Sequence, residues 1–341
     1  MNSKTFLFLV ASPLLALVMV FLLVIYLATK SYNGPDVEFS IRSGEGFASI
    51  NYRLKKQDII SSSRIFHYYS KLSGNLTHFK EGTFLLKHGS SMGEIIDQLV
   101  NGKPLTTKVS IPEGKNMYEV AQIYEQFGIC RKEDFLKQAQ DPSLLIELGI
   151  QAEKVEGYLF PETYQFPKNT PARNVVKKMV HVFNEKIKEL DLSTTTLSLH
   201  ELVTLASIVE KETGAKFERP MIAGIFHNRL KKRMRLESDP TTIYGIWEHF
   251  NGNLRRDDLQ EVTPYNTYKI PGLPLGPIAN PGLDALKATL KPSEHHYLFF
   301  VSKNDGTHIF SENYREHEKA VVHFQKTRAN REGKSWRDLK Q

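Results

Sequence analysis

The chain has a single cysteine, Cys130, among its 341 residues, so no disulfide can form within it. A buried structural thiol is the expected role of that residue. Twelve histidines are present, but no H-E-x-x-H run and no paired Cys/His spacing occurs, which argues against a zinc site or any other metal centre. There is also no glycine-rich phosphate loop and no G-x-S-x-G nucleophile turn. Without a metal, a cofactor or a covalent Ser or Cys, the chemistry left to this chain is carboxylate acid/base catalysis.

Composition sets the class. With 40% apolar residues the chain can bury one large or two moderate cores, which excludes a disordered or fibrous protein. A net charge of +7 implies attraction to anionic partners. Nucleic acid, anionic lipid and acidic wall polymers all qualify, and charge does not choose among them.

Residues 6–28, FLFLVASPLLALVMVFLLVIYLA, contain no charge and are long enough to cross the hydrocarbon core of a bilayer. They read as an uncleaved transmembrane helix behind a short N-terminus (1–5), because Tyr26 and Lys30 follow where a signal peptide would have a small-residue cleavage site. A polar linker (29–36) leads to a strand at Val37–Ile41, helices at Phe47–Lys56 and Ser63–Leu72, a strand at Gly82–Leu86 and a helix at Met92–Val100. Residues 37–104 therefore form a small α+β module. Residues 105–154 read as a connecting α/β region with no evident chemistry, 155–330 as the catalytic domain and 331–341 as a polar tail.

The centre of the chain is the apolar run Leu202–Val209, followed by Glu210, Lys211 and Glu212. Ser198 with Glu201 three residues later is a capping-box start. At about 100° per residue, Leu202, Leu205, Ala206, Ile208 and Val209 centre the buried face, and Lys211 points away from it. Glu212 falls roughly 70° from that centre and Glu210 roughly 90° on the other side. Both carboxyls thus stand at the boundary, either as solvated surface charges or as acids made harder to ionise by apolar neighbours.

Other stretches suggest a cleft. In EGYLFPETYQF (156–166) aromatic rings alternate with Glu156 and Glu162, suiting either a sugar-stacking wall or core packing. The helix around Met221–Leu230 ends in Lys231, Lys232, Arg233 and Arg235, which reads as macrodipole compensation or as a contact for an anionic polymer or lipid. The segments 236–245, 263–268 and 272–282 are dense in Pro, Gly, Asn and Thr, as expected of long loops that scaffold a binding site. A helix at Leu283–Leu290, a hairpin of Tyr297–Ser302 with His308–Phe310 and a last helix from Tyr314 to Ala329 complete the reading.

The motifs EGYLFPETY, LASIVEKETG, FHNRL, SDPTTIYG, YNTY and GLPLGPIANPG, in that order, resemble the YceG-like (MltG) family of membrane-anchored endolytic murein transglycosylases. The resemblance implies an α+β chain with an N-terminal anchor, a LysM-like module and a lysozyme-like catalytic domain. It implies cleavage between N-acetylmuramic acid and N-acetylglucosamine with 1,6-anhydro ends. Glu212 would be the acid, by alignment with the I-A-x-x-E-S pattern of lysozyme-like transglycosylases.

Tyr265, Asn266 and Thr267 are then expected to hold the glycan or steady the C6 hydroxyl, with Asn228, Asp239 and Thr241 as further candidates. Asp239, Glu156 and Glu162 are the carboxylates a hydrolytic muramidase would draw on. The LysM-like module would bind glycan or act as a spacer. The expected partners are peptidoglycan strands, the bilayer through residues 6–28 and peptidoglycan synthases, with no nucleic acid and no cofactor. The expected location is the bacterial inner membrane, amino terminus cytoplasmic and catalytic domain periplasmic. A tethered glycan-binding scaffold with little turnover is the alternative.

Overall fold

A computed structural model describes Met19, Tyr26 and residues 29–327 other than Ser43. The expected anchor (6–28) and tail (331–341) lie outside the described residues, apart from Met19 and Tyr26. Among the described residues no helix is long and apolar enough to cross a membrane.

The chain divides into two compact units. One holds the residues up to Lys108 with Phe127–Ile129 and Gln165–Pro171, and the other holds Val109–Gln126, Cys130–Tyr164 and the residues from Ala172 on. Most of the expected connecting region therefore belongs to the second unit.

In the first unit, β1 (Val37–Ile41) pairs antiparallel with β2 (Gly82–Leu86), with Phe39 opposite Phe84. Three helices pack with this strand pair: α1 (Phe47–Lys56), α2 (Ser63–Leu72) and α3 (Met92–Val100). The α3 start is a full capping box, Ser91 with Glu94. Phe39, Ile50, Leu54, Phe66, Phe84 and Leu99 form the core. The expected polar linker is not fully free, because the Tyr32 ring joins that core and its N–H donates to Ser90 O.

The second unit begins along β3 (Thr106–Ser110), which pairs with β4 (Thr163–Pro167). Between them come α4 (Met117–Gln126), α5 (Lys132–Ala139) and α6 (Pro142–Glu147). Tyr158, Leu159, Phe160 and Tyr164 are all buried, so the aromatic stretch after Glu156 packs the core. Cys130 is half-buried, not buried as expected, and its thiol is pushed up to about 12 by burial. The lysine-rich α7 (Ala172–Ile187) buries Val175, Val176, Met179, Val180 and Phe183 and leaves its charged face outward.

At the centre lies α8 (Leu199–Glu212), opened by the Ser198–Glu201 capping box. Every residue from Leu202 to Val209 is buried, so the helix is enclosed on all sides and not on one face as expected. Its two mid-helix hydroxyls are satisfied locally: Thr204 Oγ1 donates to His200 O and Ser207 Oγ to Thr204 O. Around it stand α9 (Arg219–Lys231), α10 (Asp239–Gly245) and α11 (Leu283–Leu290). The α10 helix replaces part of an expected loop, because Ser238-Asp239-Pro240 is a cap followed by a first-turn proline. The hairpin of β5 (Phe299–Ser302) and β6 (His308–Ser311) follows, then α12 (Tyr314–Val321), which ends in a π-helical turn at Val322–Lys326.

Candidate active site

The end of α8 carries two carboxyls with opposite surroundings. Glu210 is closed in: Arg219 Nη2 donates to its Oε1 at 2.5 Å and the Gly282 N–H to its Oε2 at 3.0 Å. Both partners of that ion pair are 5% exposed. Burial pushes Glu210 up, while the Gly282 N–H and the Arg219 charge pull it back.

Glu212 is partly exposed and has no cationic partner within ion-pair distance among the described residues. Its Oε1 accepts from Ser238 Oγ at 2.5 Å. Burial raises its pKa to about 7; the Ser238 bond and the Arg229 charge oppose the rise, and the Asp239 charge adds to it. A carboxyl poised there can give up a proton and take one back near neutral pH.

Ser238 is the N-cap of α10, yet it makes no side-chain cap bond, since its hydroxyl turns to Glu212. Two threonines fix it. Its N–H donates to Thr267 Oγ1 at 3.0 Å, its carbonyl accepts from Thr241 Oγ1 at 2.6 Å, and the two threonine hydroxyls share a bond of 2.8 Å. Thr241 and Thr267 are fully buried.

Asn266, also fully buried, locks the same loop. Its Oδ1 accepts from Thr242 Oγ1 and Tyr268 N, and its Nδ2 donates to Leu259 O and Glu261 O. Asn266, Thr267 and Thr241 thus sit beneath the Ser238–Glu212 contact. Tyr265 is 7% exposed and meets Tyr244 edge to face at 4.8 Å. Asp239 is exposed, and its Oδ1 accepts from Tyr268 OH at 2.7 Å.

The other candidate residues lie in different surroundings. Glu156 is 1% exposed and accepts from Met117 N, Tyr244 OH and Asn280 Nδ2, at 2.9, 2.9 and 3.0 Å. Burial raises it to about 7. It is an interior hub joining α4, α10 and the 272–282 loop. Glu162 is exposed, and its side chain accepts from the neighbouring Thr163 N–H. Asn228 Nδ2 donates to His295 O and Tyr297 O and so ties α9 to the strand approach.

Several residues escaped the sequence reading. Ser238 lay in a stretch read as loop. Arg229 is 6% exposed; its Nε donates to Leu298 O and its Nη1 to Leu236 O, which holds the chain just before Ser238. Asn280 is fully buried; its Oδ1 accepts from Gly157 N and Leu159 N, and its Nδ2 donates to Lys115 O and to Glu156. Asn280 had a signal in the Pro-Gly-Asn density of its loop. Arg229 had none, since an arginine near a helix end reads as surface charge. Among the described residues no group of three or more His, Cys, Asp or Glu side chains is arranged to hold a metal ion.

Comparison with known proteins covers nearly the whole chain. It is 32% identical over 302 residues to the endolytic murein transglycosylase of Bacillus subtilis, spanning 83% of each sequence. It is 29% identical over 327 residues to the endolytic murein transglycosylase of a Streptococcus pneumoniae strain, spanning 86% of this chain and 59% of that longer protein. The crystal structure of a yceG-like protein from Listeria monocytogenes superposes with a TM-score of 0.58 at 31% identity, covering 84% of this chain and 99% of that one. Residues 39–323 match the YceG-like family. With its α+β architecture and these relatives, the chain belongs to the YceG-like family.

Proposed function

We propose that this protein is an endolytic murein transglycosylase that uses Glu212 first as acid and then as base. The observation that carries the reading is the state of Glu212: a partly exposed carboxyl raised to about 7, fixed by Ser238, at the end of a buried helix. The Bacillus and Streptococcus relatives, both named endolytic murein transglycosylases, support the substrate.

In the proposed reaction the Glu212 proton passes to the glycosidic oxygen as the bond from the muramic acid C1 breaks. The N-acetylglucosamine leaves with a free 4-hydroxyl, and an oxocarbenium-like centre develops at C1. The C6 hydroxyl oxygen then closes on C1, and its proton returns to the Glu212 carboxylate. The product carries a 1,6-anhydro end, and no water is consumed. Ser238 stabilises the carboxylate half of the cycle by donating its hydroxyl hydrogen. Thr267, Thr241 and Asn266 hold Ser238 and its loop in place.

A second reading, a hydrolytic muramidase, has one observation in its favour. Asp239 lies close enough for its charge to raise Glu212, and a hydrolase needs a second carboxylate at about 5–10 Å. The anchor at residues 6–28, a periplasmic catalytic unit and contact with peptidoglycan synthases complete the proposal.

Mass spectrometry of the products of the full chain acting on uncrosslinked glycan strands tests it. Anhydro ends with wild type and none with Glu212→Gln are expected. Reducing ends would select the hydrolase, and no products from wild type would overturn both readings.

A further inference from the structure

A pocket of about 300 Å³ opens in the second unit, with Lys154, His200, Tyr265, Leu275 and Pro277 in its wall. Tyr265 connects it to the acid: two residues further along the chain, Thr267 holds Ser238, which bonds Glu212. At about 3.5 Å per residue that path puts the Tyr265 wall within roughly 20 Å of the Glu212 carboxyl, a span of a few sugar rings.

The cation in this pocket makes no direct ion pair among the described residues, although the charges of Glu156 and Glu153 in the pocket lining reach it. The half-buried Lys154 Nζ stands 4.9 Å from the Tyr244 ring centroid and 4.8 Å from that of Tyr265. No hydrogen bond of its ammonium is found among the described residues, and burial lowers its pKa against the opposing pull of the Glu156 and Glu153 charges. Two ring faces offset part of that loss of hydration. An anion would offset more.

The two acidic groups nearby act on Lys154 by charge at a distance, and neither bonds its ammonium. Glu156, below Lys154, is filled by Met117, Tyr244 and Asn280, and the exposed Glu153 stands at the rim. His200 also faces inward, with Nδ1 bonded to Tyr158 OH and Nε2 to Leu275 O. Both of its nitrogens are therefore spoken for. What remains for a guest is one ammonium beside apolar surface from Leu275, Pro277 and the Tyr265 ring.

We propose that this pocket is a carboxylate subsite, taking a short alkyl carboxylate carried on the glycan, with Lys154 as counter-ion and Leu275 and Pro277 against the alkyl part. The identity of the polymer rests on the murein-cleaving reading above. Two parts of murein carry this chemistry: the lactyl carboxylate of a muramic acid without its peptide, and the D-alanyl carboxylate that ends a stem peptide. Each is a methyl-bearing carbon next to a carboxylate, small enough for the volume.

The test compares the full chain and its Lys154→Met variant on peptide-bearing strands and on strands stripped by an amidase. Each substrate is used before and after its carboxylates are converted to amides. Wild type is expected to show a KM about tenfold lower with carboxylates than with amides, the weight of one charge-assisted contact. In Lys154→Met that ratio collapses towards one.

Collapse on the stripped strands alone identifies the lactyl group, and collapse on the peptide-bearing strands alone identifies the D-alanyl end. A KM that rises equally on acid and amide substrates would make Lys154 a structural cation and overturn the subsite, as would no change at all. If wild type releases no products, the murein-cleaving reading has failed separately. Titration with N-acetylmuramic acid and N-acetyl-D-alanyl-D-alanine then decides. Saturable binding that N-acetylglucosamine does not reproduce and that Lys154→Met loses upholds the subsite, and its absence overturns it.

Discussion

Glu210 and Glu212 stand two residues apart at the end of one helix, and only the first is tied to a cation. Arg219 grips Glu210 at 2.5 Å in a pair 5% exposed on both sides, whereas Glu212 is partly exposed and bonds the Ser238 hydroxyl. One carboxylate fixes the helix end, which leaves the other free to exchange a proton.

Breaking the grip is expected to destabilise strongly. Arg219→Met leaves Glu210 buried without its counter-charge, which costs about 3–5 kcal/mol. Pairing it with Glu210→Gln removes the stranded charge, so the double variant recovers much of that loss. Chemical denaturation of the single and double variants measures the difference. Additive effects would mean the two groups do not act as a pair.

Activity is expected to fall with rising pH, because the proton donor is the protonated form of a group near 7. Two neighbours should move that limb in opposite directions. Ser238→Ala removes a bond that favours the carboxylate, so the limb shifts upward. Asp239→Asn removes a charge that disfavours it, so the limb shifts downward. Profiles of kcat/KM against pH for the three proteins check both signs. Shifts of the same sign would rule out Glu212 as the titrating group.

Much of the frame could be read from sequence because its signals are local. The Ser198–Glu201 capping box, the alternating strands Val37–Ile41 and Gly82–Leu86 and the helix Leu283–Leu290 all lie where periodicity and caps put them. The surroundings of Glu212 were less legible, because they are built from side chains distant in sequence. Ser238 falls in a stretch that reads as loop, and its hydroxyl's partner 26 residues earlier has no local signature. The region 105–154 seemed empty of chemistry, yet it supplies the Met117 N–H to Glu156 and Lys154 to the pocket. The EGYLFPETY rings are core for a similar reason: alternation does not say what packs on the second face.

The Glu156 hub makes stability itself depend on pH. A carboxyl raised from an ordinary value of 4.5 to about 7 binds its proton more tightly in the folded state. Its contribution is therefore complete below about pH 4.5 and is lost as pH rises to about 7, on the order of 3 kcal/mol across that window. Glu156→Gln has no proton to lose, so its unfolding free energy should change less between those limits. Denaturant titrations at several pH values measure the two slopes, and equal slopes would show that Glu156 does not titrate in that range.

Gly157 shows how closely the hub is packed. Its φ is +87°, and a Cβ there would come within 2.5 Å of Pro277 Cγ and 2.7 Å of Val203 Cγ1. Its N–H also donates to Asn280 Oδ1, so the backbone cannot withdraw without loosening Asn280. Gly157→Ala therefore meets a left-handed backbone and an overfilled contact together, and should cost on the order of 3 kcal/mol. The strain reaches α8 through Val203 and the 272–282 loop through Pro277, so activity should fall along with the melting temperature. A variant that melts like wild type would mean that α8 and this loop can part without cost, and the rigid seating of Glu212 would then need another source.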